Sequence, residues 1–173
     1  MNQPGLVILL TGHGKGKTTS AFGQALRAAG QGLTVCIIQF IKQKSDTGEV
    51  MALQPLGDRI EIHTTGSGFT WTARDRREVV EAAARGWELA RRKIAGPYDM
   101  VVLDEFTYLL THRLLDEKEV LQCFRDRPAG QHLVITGRDA GPSLLEFADL
   151  VTEMREIKHP YHRGVKAMKG VEF

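Results

Sequence analysis

A single α/β domain, with a mostly parallel sheet covered by helices on both faces, is the fold class predicted by three features of the 173-residue sequence. Short apolar runs alternate with longer amphipathic stretches. The apolar runs are continuous and β-branched, as strands are when both faces of a parallel sheet are buried. Glycines punctuate the joints between strand and helix, and this β-α-β order requires crossover helices that pack back on the sheet. Hydrophobic residues at 42% and charged residues at 25% suit a chain that folds around a core, and residues 1–173 make one full domain more readily than two small ones.

The elements follow in order. Strands are predicted at Leu6 to Thr11 (LVILLT), Thr34 to Ile41 (TVCIIQFI), Ile60 to Thr65, Met100 to Glu105 (MVVLDE), His132 to Gly137 and Leu150 to Ile157. Lys17 to Ala29 is a helix that starts at a glycine-rich loop and stops before Gly30 and Gly32, which suit a left-handed cap. Ala73 to Ile94 is the clearest helix, with Val80, Ala83, Ala84, Trp87, Ala90 and Ile94 on one face and RDRRE and RR on the other. Asp116 to Arg125, closed by Pro128 and Gly130, and Ser143 to Ala148 complete the set.

Charge and composition narrow the function. The net charge of +2, from 23 basic and 21 acidic side chains, gives no global field that would favour nucleic acid or a membrane surface. No apolar stretch approaches the length of a membrane span, and the N-terminus has no secretory pattern, so a cytoplasmic location is expected. Cys36 and Cys123 lie far apart without metal-type spacing and read as small buried hydrophobes. Specificity must reside in local sites.

The first such site is TGHGKGKTT, residues 11–19. A strand, a glycine-rich turn, Gly16-Lys17-Thr18 and then a helix reproduce a Walker A loop in its required context, which specifies the fold as a P-loop NTPase of RecA-like type. Main-chain N–H groups from Gly12 through His13, Gly14, Lys15 and Gly16 to Lys17 are expected to face phosphate oxygens, aided by the positive end of the helix. Lys17 supplies a mobile cation, the Thr18 hydroxyl a magnesium ligand, and Thr19 extends the site. The strict pattern has glycine where Thr11 stands, so the loop is a variant. MVVLDE ends in Asp104 and Glu105 at the Walker B position, where an acid meets the metal or its waters. Neighbouring strand residues face opposite ways, so the two acids share a role only if the strand ends between them.

Other features discriminate among P-loop chemistries. Phe69 and Trp71 in GSGFTW are either strand-edge core or, if exposed, an apolar wall for a flat ligand. Arg138 in TGR follows a strand end and either reaches a phosphate or forms a surface ion pair. Glu49 lies in a polar loop, while Lys158, His159 and Lys166 belong to the basic C-terminal stretch. His159 and His162 do not read as metal ligands.

The ordered set TGHGKGKTTSAFGQALRAAGQG, VCIIQFIK, GFTW, DMVVLDEFTYLL, VITGR and ADLVTEMREIKHPYHRGVKAMKGVEF resembles the ATP:corrinoid adenosyltransferases built on a P-loop fold, over nearly the whole chain. That family also reads threonine-glycine at the start of its loop. The resemblance implies transfer of the 5′-deoxyadenosyl group of ATP to the cobalt(I) of a corrinoid (cobalamin, cobinamide or cobyrinic acid diamide), with release of triphosphate. It implies Mg2+ or Mn2+, a reductant such as a flavoprotein, and a homodimer. By the same resemblance Phe69 and Trp71 flank the corrin and help displace its lower cobalt ligand, whereas Glu49, Lys158, His159 and Lys166 read first as solvated surface, with the corrin border as the alternative. The nucleophile arrives with the corrin, so no serine or cysteine triad is required. Better-known members carry an N-terminal extension whose helix covers a partner's site, whereas MNQPG alone precedes the first strand here. The rivals are a P-loop ATPase or nucleotide kinase that cleaves a phosphoanhydride bond, and a non-enzymatic nucleotide-dependent binding module.

Overall fold

The computed structural model describes residues 4–41, 47–66 and 76–172. Its six-stranded sheet has every described pair parallel and runs in the order β3-β2-β4-β5-β1-β6. The strands are β1 (Val7–Thr11), β2 (Val35–Gln39), β3 (Ile60–Thr64), β4 (Met100–Asp104), β5 (His132–Thr136) and β6 (Leu150–Glu153). The helices are α1 (Lys17–Gly30), α2 (Gly48–Leu53), α3 (Arg76–Ile94), α4 (Thr107–Thr111), α5 (Glu117–Arg125) and α6 (Pro142–Phe147).

Side-chain parity explains the unbroken apolar runs. Val7 and Leu9 of β1 join Ile38, Leu103 and Ile135 in a core beneath α3 and α5, while Ile8 and Leu10 join Ile37, Val102 and Val134 beneath α1 and α2. Each strand therefore needs apolar residues at odd and even positions alike. Phe106, fully buried just after the acidic pair, packs against Phe40, Trp87 and Phe124 with ring centroids 5.2, 5.6 and 5.7 Å away. This aromatic cluster fixes the floor below the end of β4.

Several boundaries differ from expectation. The last strand stops at Glu153 instead of Ile157, because Met154 turns across the glycine-rich loop: its N–H donates to Thr11 O at 2.8 Å. On α3, Ala82, Ala83, Trp87, Ala90 and Ile94 are buried, whereas Val80 and Ala84 are exposed. At roughly 100° per residue those two fall to one side of the arc centred near Ala90. The short α2 and α4 have no counterpart in the expected elements, yet Val50, Leu53 and Leu109 anchor them in the core. Among the described residues, no helix is long and apolar enough to cross a membrane.

One polar cluster secures the β3 edge. Cys36 pairs in register with Glu61, and His63 lies two residues on, so all three share a face and approach within 4.8 Å. Lys93 at the end of α3 donates to both Glu61 oxygens at 2.8 and 2.9 Å, and the Tyr98 hydroxyl donates to the same carboxylate. The Lys93 and then the Tyr98 hydrogen bonds pull the Glu61 carboxyl down to about 2. Burial pushes the Cys36 thiol up to about 12. The Glu61 carboxylate, tied to the Lys93 ammonium and the Tyr98 hydroxyl, thus links β3 to the end of α3.

A depressed acid stabilises the fold above its unfolded pKa and loses that effect as pH falls through the folded one. Glu61→Gln should therefore lower the urea midpoint at neutral pH, with the difference from the parent shrinking as pH drops from about 4.5 toward about 2. The Glu61 side chain is 40% exposed, so screening keeps the neutral-pH difference to about 1 kcal/mol. A difference that is constant across that window would show that Glu61 does not supply the linkage.

Candidate functional site

The site grows from the turn between β1 and α1. Gly16, at φ 112°, takes a left-handed conformation and hands the chain to α1, whose N-terminus has no side-chain cap bond and no acid in its first turn. The first helical N–H groups lack intrahelical acceptors and carry the positive end of the helix dipole, which suits them to an anion. Gly12, at φ 95°, and Gly14 are required by a close approach: a Cβ there would lie 2.5 and 2.7 Å from Met154 O. The Gly14 N–H donates to that same oxygen at 2.6 Å, so it is not directed at phosphate as the loop pattern alone suggests. Gly12 likewise lies against the Met154 backbone and does not line the cavity.

The half-buried Lys17 ammonium curls into the loop and donates to Gly12 O at 2.6 Å and Gly14 O at 2.8 Å. Burial lowers its pKa first and the nearby Arg138 charge second, with Glu105 and Asp104 opposing. A polyanion at this point would gain two cations and relieve their mutual repulsion.

β4 ends at Asp104, and Glu105 takes φ 61°. The strand does end between the two acids, which removes the opposite-face constraint. Asp104 is fully buried and accepts at Oδ1 from Thr18 Oγ1 (2.9 Å) and Thr136 Oγ1 (2.8 Å), and at Oδ2 from Gln39 Nε2 (3.1 Å). The Thr136 hydroxyl also accepts from the Glu105 N–H at 2.9 Å, which supports the left-handed turn. Gln39 Oε1 stays buried and unpaired among the described residues, beside an all-oxygen set formed by Thr18 and Asp104. Such hard donors match a magnesium-type cation better than a soft one.

Above these groups lies a cavity of about 280 Å3. His13, Gly14, Lys15, Gly16, Lys17, Thr18, Thr19, Glu105 and Arg138 line it, so one space gathers nearly all the expected loop residues, one of the two acids and the expected arginine. Asp104 sits behind this wall, reached through Thr18 and Thr136. His13 Nε2 meets Asp139 Oδ1 at 3.1 Å on the rim. Phe69 and Trp71 lie outside the described residues.

Thr136, Tyr108, Glu156, Val171 and Glu172 also line the cavity and were not singled out from the sequence. Glu49 and His159, read first as solvated surface, line this same space, whereas Lys158 and Lys166 are exposed and do not. Only the order β4-β5-β1 would have pointed to Thr136, since it puts the end of β5 between the loop and the acidic strand.

Comparison with known proteins agrees with the geometry. Residues 3–173 match the family described as ATP:corrinoid adenosyltransferase BtuR/CobO/CobP. The chain is 42% identical to the corrinoid adenosyltransferase of Pseudomonas aeruginosa, over 99% of this chain and 85% of that protein. It is also 42% identical to the corrinoid adenosyltransferase of Escherichia coli K12, over 99% of this chain and 87% of the relative. The corrinoid adenosyltransferase CobA of Salmonella typhimurium shows the same 42%, over 98% of this chain and 86% of its own length. Matched from end to end by the family pattern and by these relatives, the chain belongs to the ATP:corrinoid adenosyltransferase family.

Proposed function

We infer that this protein transfers the 5′-deoxyadenosyl group of ATP to the cobalt(I) of a corrinoid. The observation that carries the reading is the convergence on one cavity of Lys17, Arg138, the uncapped start of α1 and the Thr18 hydroxyl held by Asp104. That arrangement suits a triphosphate held as a leaving group. Cobalt(I) donates its electron pair to the ribose C5′, the C5′–O bond breaks, and the bonding pair departs on the triphosphate oxygen.

Charge on that oxygen grows through the reaction, so cations aimed at the phosphate chain stabilise the transition state more than the ground state. Lys17 and Arg138 supply this, and the α1 N–H groups add fixed dipoles. Thr18 and Asp104 are the residues proposed to hold Mg2+ or Mn2+, with Glu105 beside them; the ion, when bound, contributes further charge to the phosphates. Phe69 and Trp71 are proposed to face the corrin and strip its lower axial ligand, which eases reduction to cobalt(I). A flavoprotein-type reductant and a homodimer complete the proposal. Exposed Leu6, Leu145, Leu150 and Val151 around the β6 edge support self-association.

The deciding experiment supplies Mg-ATP and a chemically reduced corrinoid and identifies the products. Triphosphate and a light-sensitive cobalt–carbon bond are expected; ADP and phosphate formed without corrinoid would favour the phosphoanhydride-cleaving rival. Lys17→Ala should lower kcat by roughly 10²–10³-fold. Phe69→Ala and Trp71→Ala should slow adenosylation while ATP binding, followed by calorimetry, persists. Equal loss of both would assign the rings to core packing.

Glu105→Gly separates strain from chemistry. Glycine adopts φ 61° without penalty, so urea unfolding should show about 1 kcal/mol of added stability. Adenosylation should fall at the same time. A variant that is both more stable and fully active would remove Glu105 from the reaction.

A further inference from the structure

Beyond β6 the chain returns to the phosphate loop twice. At its near end, Met154 O takes the Gly14 N–H at 2.6 Å. At its far end, Lys15 Nζ donates to Glu172 Oε2 at 2.5 Å. Between these ties Glu156, His159 and Val171 line the cavity, as Glu172 does at the far tie, and His162 Nε2 bonds Glu156 Oε1 at 2.6 Å.

Residues 161–171 are exposed along their whole length, with Val165, Met168 and Val171 at 39, 47 and 56%. Apolar burial therefore does little to hold this stretch in place. Gly164 and Gly170 take φ 76° and 78°, left-handed joints that let the segment double back. Glu172 is exposed as a residue too, but its side chain is 24% exposed. Among the described residues, the outer attachment of the segment is a charge pair with the phosphate loop itself.

We propose that Glu172 is a positioning residue for the nucleotide: its ion pair with Lys15 straps the C-terminal segment across the cavity mouth and retains ATP beneath it. This rests on the assignment of that cavity to ATP. The pair also neutralises Lys15 at the rim, which leaves Lys17 and Arg138 as the cations directed at the phosphate chain. A strap that spans the mouth keeps bulk water from the reacting carbon, while the glycine joints allow it to swing aside for exchange.

The test uses the full chain and a fluorescent ATP analogue whose dissociation is followed by stopped flow, together with adenosylation kinetics. Glu172→Gln should raise the dissociation rate and the KM for ATP roughly two- to five-fold, the range of a partly exposed ion pair, with kcat within twofold. Lys15→Met combined with Glu172→Gln should dissociate no faster than the worse single variant, as expected of one shared interaction. Added salt should speed release more steeply from the parent than from Glu172→Gln, in which only the direct phosphate contacts remain to be screened. Unchanged dissociation in Glu172→Gln, additive effects in the double variant, or equal salt dependence would each overturn the strap. Failure of the parent chain to bind the analogue would instead remove the ATP assignment, and the strap with it.

Discussion

The site is organised by one buried carboxylate. Asp104 is removed from solvent, and burying an ionised group is unfavourable unless donors satisfy it. Thr18 at the start of α1, Thr136 at the end of β5 and Gln39 at the end of β2 all converge on it. Satisfying that carboxylate therefore holds the loop, the acidic strand and two neighbouring strands at a common height. A slip of β5 by one residue would turn the Thr136 hydroxyl to the other face of the sheet and leave Asp104 short of a donor. The same hydroxyl accepts from the Glu105 N–H, so the support of the buried acid and the shape of the strained turn are coupled.

What was legible in the sequence is what depends on near neighbours along the chain. Strand parity, the helix after Lys17 and the acids closing MVVLDE each follow from a few consecutive residues, and the sheet reproduces them. Partners brought in by topology were not legible. Thr136 resembles any threonine until β5 is placed between β4 and β1. Glu172 lies 157 residues from Lys15, and nothing local marks its carboxylate as a rim group. The five-residue α4 and six-residue α2 are too short to be stable alone, so tertiary packing of Leu109, Val50 and Leu53 makes them helices.

The loop glycines show how a correct motif can be read for an incomplete reason. Close approach to phosphate is the usual account of such spacing, yet at Gly12 and Gly14 the nearest obstacle to a side chain is the Met154 backbone. Substitution at either would displace the segment after β6 before any ligand is considered. Loss of function in a glycine variant thus cannot distinguish cradle from packing. Lys17 and Thr18 line the cavity, but Lys17 also bonds the Gly12 and Gly14 carbonyls and Thr18 the buried Asp104, so their variants separate the two only when unfolding is measured beside activity.

The choice of reaction then turns on access more than on the loop. Cations around a triphosphate favour departure of negative charge whether attack falls on phosphorus or on C5′, so the cradle serves either chemistry. For transfer to C5′, water attacking phosphorus is the competitor that the site must suppress. The loop shares the lining of its cavity of about 280 Å3 with Glu156, His159, Val171 and Glu172, so the segment after β6 is placed to limit access to the phosphates. The strap and the cradle thus divide the work: one stabilises the departing charge, and the other helps determine which nucleophile is present when it leaves.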